Sequence, residues 1–208
     1  MLEAIISHKH LVPADIPNNH IKATDGIGTD ISHRRLLIHK PKQFLAVIDL
    51  LASDQIHDYS QWFHLSPELK LSQEQESRIE VFQENGATHS VIHFIDQEDV
   101  IPNVSIFHGQ EDPELVGWHS KDGLELSPNF SFSNQITGES AQFCTVFSHN
   151  PNSRRPFINV SSNGRYIRFA NKDSNAPFDI TIRDNPKGNY EVTCVENNQQ
   201  YEETYNWD

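Results

Sequence analysis

"HDYSQWFHLSP" (57–67) sets two histidines, an acid, a tyrosine and a tryptophan within eleven positions. Such a stretch suits either an active site or the interior of a sheet, and the phase of its side chains bears on which. In a strand, successive side chains point to opposite faces. His57, Tyr59, Gln61, Phe63 and Leu65 then share one face, and Asp58, Ser60, Trp62 and His64 share the other. Both faces carry aromatic and polar groups, so the stretch reads as a strand of a sheet partly covered on both sides. Strand residues pack more often than they react. His57 and His64 are therefore structural histidines unless partners reach them from elsewhere in the chain.

Period-two, β-rich runs recur on either side of this stretch. They include "EAIISH" (3–8), "HRRLLIH" (33–39), "FLAVIDLL" (44–51), "RIEVFQE" (78–84), "HSVIHFI" (89–95) and "VSIFHG" (104–109). Further on come "NFSFSNQ" (129–135), "AQFCTVFSH" (141–149), "FINVSS" (157–162), "RYIRFAN" (165–171), "FDITIRD" (178–184) and "YEVTCVE" (190–196). Turn chemistry falls between them, as in "HKPKQ" (39–43), "ENGAT" (84–88), "KDG" (121–123), "SNG" (162–164) and "NPKGN" (185–189). No amphipathic helix is legible, and "PELKLSQEQES" (67–77) reads as a polar loop. The expected fold is all-β, an antiparallel β-sandwich. The polar segment "SHNPNSRRP" (148–156) divides a main domain, 1–150, from a small C-terminal β segment, 151–208, expected to pack on it.

The chain has 208 residues and a formal net charge of -13. That balance argues against a nucleic-acid groove, and "HRR" (33–35) and "SRR" (153–155) are too small to form a polybasic stripe. No apolar run approaches the roughly 20 residues of a membrane span. The start, "MLEAIISHKHLVPADIP", lacks a basic region followed by an apolar core and does not read as a secretory signal. The expectation is a cytoplasmic protein or a piece of a longer one. Cys144 and Cys194 fit no metal-ligand spacing and are expected to be buried thiols.

Three segments are chemistry candidates. "HKH" (8–10) places two imidazoles on one strand face, but a zinc site needs about four ligands and the spacing supplies no others. His89 and His93 share a face at roughly 13 Å, too far apart to share a metal. No cofactor or metal is expected, since no nucleophile elbow, phosphate loop or cysteine–histidine motif is present. In "GWHSKDGLELSP" (117–128), Gly117 suggests a close backbone approach or a bulge. Trp118 either closes the end of a core or stacks on a sugar ring.

The order of these pieces resembles the C-terminal β region of the heparinase II/III-like family of polysaccharide lyases. The resembling elements are His33 and Arg35, then Val47-Ile48-Asp49, then His57, then Phe63-His64-Leu65 with Pro67. Downstream, "GWHSKDGLELSPNFSFS" is similar to the family's Gly-Trp-x-Ser segment, and "FCTVFSHNP" to the strand after it. The resemblance covers about residues 30–150. It implies a supersandwich-like β domain, a partner α/α toroid in cis or in trans, and cleavage of uronic-acid polysaccharides such as glycosaminoglycans by β-elimination. In that chemistry a base removes the C5 proton, polar groups neutralise the carboxylate, and an acid protonates the leaving oxygen.

The family's catalytic Tyr and Asn/His come largely from the toroid. Its His-x-His-x-Asp stretch and later Ala-His-Asn-Thr segment have no match here, and Val12 stands where "HKH" would need its Asp. No catalytic residue carries over, and the chain is expected to begin just after the catalytic part. It would then be periplasmic if it belongs to a longer secreted lyase. The resulting reading is a C-terminal β domain or truncated relative of a uronic-acid polysaccharide lyase, inactive alone, whose expected partners are the toroid, an anionic polysaccharide and further copies of itself. The rivals are a stand-alone carbohydrate-binding module, with Tyr59, Trp62 and Trp118 as sugar-stacking residues, and a purely structural domain.

Overall fold

The computed structural model describes residues 3–7, 31–40, 44–75, 77–94, 103–120, 123, 125–148, 159–162, 166–171, 178–184, 190–196 and 199–205. Among them every regular element is a strand and every strand pairing is antiparallel. The first three strands are β1 (Glu3–Ser7), β2 (Ser32–Lys40) and β3 (Phe44–His64). Next come β4 (Leu69–Gln75), β5 (Arg78–Gln83), β6 (Thr88–Phe94) and β7 (Asn103–His108). A short pair, β8 (Trp118–Ser120) and β9 (Leu126–Pro128), precedes β10 (Phe130–Ser148). The main sheet runs β1-β2-β3-β10-β6-β5-β4, with β7 also on β10.

"FLAVIDLL" and "HDYSQWFHL" are one strand, β3, not two. It spans 21 residues and pairs with β10 almost throughout. The two runs stay on one ladder because a wide irregularity absorbs the polar residues between them. Ala52 faces Ser140 and His57 faces Gly138, so residues 53–56 stand opposite Glu139 alone. A local excess of residues on one strand bends and twists the pair. How far it bends follows from two contacts. Phe63 pairs with Phe132 and Leu45 with Phe147, eighteen positions apart on β3, or about 60 Å of extended strand. Yet the Phe63 and Phe147 rings meet edge-on at 5.1 Å. The β3–β10 ribbon therefore folds back on itself.

That fold makes the sandwich from one sheet. One leaf is residues 57–64 of β3, residues 130–138 of β10, and β7. The facing leaf contains residues 44–52, residues 140–148, β6, β5 and β4. Ile79, Val81, Ile92, Phe94 and Phe132 form the core between them, with Phe63, Leu69, Leu71, Ile106 and Phe147 against it. A second cluster, Tyr59, Ala141 and Phe143, packs with Ile31, Leu51 and Ile136.

Residues 69–75, expected as a loop, are the edge strand β4. Its Ser and Gln content suggests solvent, but Leu69 and Leu71 alternate with exposed Lys70 and Ser72, and two half-buried side chains packed on the core from one face are enough to seat a short strand. The turn in "ENGAT" closes β5 onto β6 as expected. Gly86 sits at φ +80, and the Ala87 N–H donates to Asn85 Oδ1 at 2.9 Å.

A separate five-stranded meander follows in the chain: β11 (Asn159–Ser162), β12 (Tyr166–Asn171), β13 (Phe178–Asp184), β14 (Tyr190–Glu196) and β15 (Gln199–Tyr205). Its last strand, "QQYEETY", is polar and carries no run of apolar residues to mark it as a strand. The loops "SNG" and "NPKGN" lie outside the described residues, except for Ser162 at the end of β11, as does "SHNPNSRRP" apart from Ser148. Cys144 and Cys194 are both buried and both free. Burial raises the Cys144 thiol to about 12, which keeps it protonated and unreactive.

Candidate functional site

The densest polar cluster of the fold centres on Asp49, whose residue is only 2% exposed. In phase with it on β3 are Tyr59 of the smaller core cluster, Gln61, and Phe63 of the larger. On β10 the same order is Phe143, Thr145, Phe147. Asp49, Gln61 and Thr145 thus form a polar layer between two apolar ones. Arg35 on β2 grips the carboxylate with both arms, Nε to Oδ1 at 2.6 Å and Nη2 to Oδ2 at 2.7 Å. Gln61 Nε2 donates to Oδ2 at 2.7 Å, and Thr145 donates its hydroxyl to Gln61 Oε1 at 2.6 Å.

Burial alone would push the Asp49 carboxyl up. The hydrogen bonds from Arg35, His33 and Gln61, and the Arg35 charge, outweigh it and hold the group at about 2. The carboxylate is therefore ionised and can only accept. The His33 contact, Nε2 to Oδ1 at 2.9 Å, must then carry its proton on Nε2. Two donors reach each oxygen, so Asp49 has no lone pair aimed at a substrate. The cluster is built to fasten β2, β3 and β10 together.

The two histidines of the opening stretch do not converge. His57 points inward and is half-buried, with Nε2 3.1 Å from Ser53 Oγ and its ring edge-on to Tyr59. His64 points outward, its Nδ1 2.7 Å from Ser131 Oγ and its ring stacked beside Trp62. Seven positions and opposite faces separate them, about 23 Å along the strand. The 57, 59, 61, 63, 65 face is the covered one; on the other, Asp58, Ser60, Trp62 and His64 are exposed while Ser131 and Ser133 of β10 beside them are buried, so that face is covered only in part.

The three candidate stacking residues lie in three settings. Tyr59 is 4% exposed, belongs to the smaller core cluster, and donates its hydroxyl to the Glu139 carbonyl at 3.3 Å. Trp62 is 39% exposed on the opposite face. Trp118 is half-buried and donates Nε1–H to the Gln110 carbonyl at 2.9 Å, with its ring beside Gly109. The fold does not bring them together.

The close approach expected at Gly117 is present. Gly117 sits at φ +76, and a Cβ there would meet Gly109 N at 2.8 Å and Asn129 O at 3.0 Å. Asn129 links two pieces of the motif: its N–H donates to the Gly117 carbonyl at 2.8 Å and its Nδ2 to the Leu65 carbonyl at 2.7 Å. Sequence reading passed over Asn129, Gln61 and Thr145. Only Gln61 left a trace, as an amide in phase with Tyr59 and Phe63. Among the described residues no three His, Cys, Asp or Glu side chains gather as metal ligands, and His8 and His10 lie outside those residues.

No family model matches the chain, and no curated protein matches it. Among solved structures it is similar to heparan sulfate lyase HepC from Pedobacter heparinus, at 12% identity and a TM-score of 0.49, over 85% of this chain and 25% of that one. A mutant of the same lyase gives 11% identity and a TM-score of 0.48, over 97% of this chain and 28% of that one. The chain thus spans about a quarter of the length of the lyase it matches.

Proposed function

We propose that the chain is a scaffold β-domain allied to the uronic-acid polysaccharide lyases, one that supports a catalytic partner and does not itself turn over substrate. What carries this reading is the use made of the motif residues. His33 and Arg35, both half-buried, spend their contacts on the buried Asp49, whose two oxygens are saturated. Leu65 and Gly117 are tied through Asn129, and His64 is tied to Ser131. Each makes a structural contact, and Asp49, the carboxylate among them, has both oxygens filled and no lone pair left to act as a general base.

The test is to incubate the chain with heparan sulfate, alginate and related uronides and follow the absorbance of the unsaturated product. No turnover is expected. Turnover abolished by His57→Ala or His64→Ala would overturn the scaffold reading and make that stretch catalytic. A second reading, a carbohydrate-binding module, is favoured by the exposure of Trp62.

A further inference from the structure

We propose that the outer face of the leaf made by residues 57–64, residues 130–138 and β7 binds an uncharged oligosaccharide, with Trp62 as its stacking residue. Residues directly opposite one another in a ladder share a face. The pairings therefore set His64, Ser131 and Phe107 in one row, then Trp62, Ser133 and Ser105, then Ser60, Gln135 and Asn103, then Asp58 and Thr137.

Trp62 is the largest exposed group of this face, open to solvent over 39% of its surface, and two rings from the neighbouring row lie against it. The His64 ring lies 6.4 Å away at 13° and the Phe107 ring 5.3 Å away at 28°, both stacked. His64 is itself fixed by Ser131. A ring held by its neighbours loses little rotamer freedom when a ligand settles on it, which favours binding. The C–H face of a pyranose is a suitable occupant, because weakly positive C–H groups are drawn to the negative face of an aromatic ring.

The surroundings select the kind of sugar. Ser60, Gln135, Asn103 and Thr137 are exposed, short and uncharged, and offer donors and acceptors to hydroxyl groups. The one charge is Asp58, which accepts from Thr137 at 2.6 Å. None of the residues named in these rows is Lys or Arg, and the chain carries a net charge of -13. A sulfated or uronate chain would meet repulsion here. From His64 to Asp58 the face runs about 20 Å along β3, room for a short oligosaccharide rather than a single ring. This site is independent of the scaffold reading, whose test measures turnover and not binding.

The experiment titrates the full chain with cellohexaose, mannohexaose, xylohexaose and a heparan sulfate hexasaccharide, by calorimetry and tryptophan fluorescence. At least one neutral hexasaccharide should bind at millimolar concentration or below, more tightly than the sulfated one. Trp62→Ala should weaken that binding about tenfold or more. Trp62→Phe should restore part of it, Phe107→Ala should weaken it, and Ile56→Ala, on the exposed bulge, should leave it unchanged. The proposal is overturned if no neutral hexasaccharide binds in the millimolar range, if the sulfated one binds more tightly, or if folded Trp62→Ala binds like the parent. Light scattering that shows a dimer dissolved by Trp62→Ala would also overturn it, since the face would then join two copies of the chain.

Discussion

Residues 44–50 and 57–64 lie on one strand, yet they meet water differently. In the first stretch Phe44, Ala46, Val47, Ile48 and Asp49 are all buried, so both faces of the sheet are covered. In the second only alternate residues turn inward, and Asp58, Ser60, Trp62 and His64 remain in solvent. The sequence writes this difference as a continuous apolar run, "FLAVIDLL", against an alternating one, "HDYSQWFHL". The polar groups follow the same division. Asp49 of the first stretch and Gln61 on the inner face of the second are locked into one ion cluster, while Asp58, Ser60 and His64 on the outer face of the second stand in solvent. One strand can hold a fold together at one end and present a surface at the other.

The largest effect that would break this comparison is at the cluster. Asp49→Ala leaves the buried Gln61 amide without its acceptor, while the Arg35 guanidinium, 39% exposed, can turn to water, and a loss of about 2–3 kcal/mol of stability is expected. Equilibrium urea unfolding measures it. A loss below about 1 kcal/mol would show that water replaces the carboxylate and that the layer is not sealed.

Acid should dissect the interior in two stages. Burial lowers the pKa of His93, and the Arg78 charge adds to this, bringing it to about 4. The unfolded chain takes up a proton near pH 6.5 that the folded chain refuses. Stability is therefore full above about pH 6.5 and declines until about pH 4, by about 3 kcal/mol. Asp49, held at about 2, contributes fully above its unfolded pKa of about 3.8 and loses about 2 kcal/mol as the pH falls toward 2. Unfolding midpoints measured from pH 8 to pH 2 should fall through both windows, and His93→Asn should remove the upper one alone.

Two glycines sharpen the contrast between interior and surface. Gly117 and Gly86 both have positive φ, but a Cβ at Gly117 would press on backbone while one at Gly86 meets nothing within 4 Å. Gly117→Ala should cost about 2–3 kcal/mol and Gly86→Ala about 1 kcal/mol, read from thermal or urea midpoints. Equal costs would mean that the junction of Gly109, Gly117 and Asn129 yields easily.

Much of the fold was legible because strands advertise themselves by alternation, as "RIEVFQE", "FDITIRD" and "YEVTCVE" do, or by an apolar run, as β6 does, whose residues 90–94 are all buried. β4 was missed because Gln and Ser outnumbered Leu69 and Leu71, although those two carry its packing. The union of two runs into β3 was missed because "ASDQI" looks like a loop; nothing local says that β10 will run past it with a single residue. The candidate site was legible only in part. Alternation already separated Tyr59 from Trp62, so the two could not serve one platform. The Asp49–Gln61–Thr145 layer depends on the ribbon folding back, which no local pattern encodes.

The most direct test of the division along β3 is urea denaturation of Asp49→Ala and Trp62→Ala beside the parent chain. Removing the exposed ring should cost no more than about 1 kcal/mol, as at surface positions generally, and removing the buried carboxylate about 2–3 kcal/mol. A Trp62→Ala chain as destabilised as Asp49→Ala would contradict the account, because the outer face would then belong to the core.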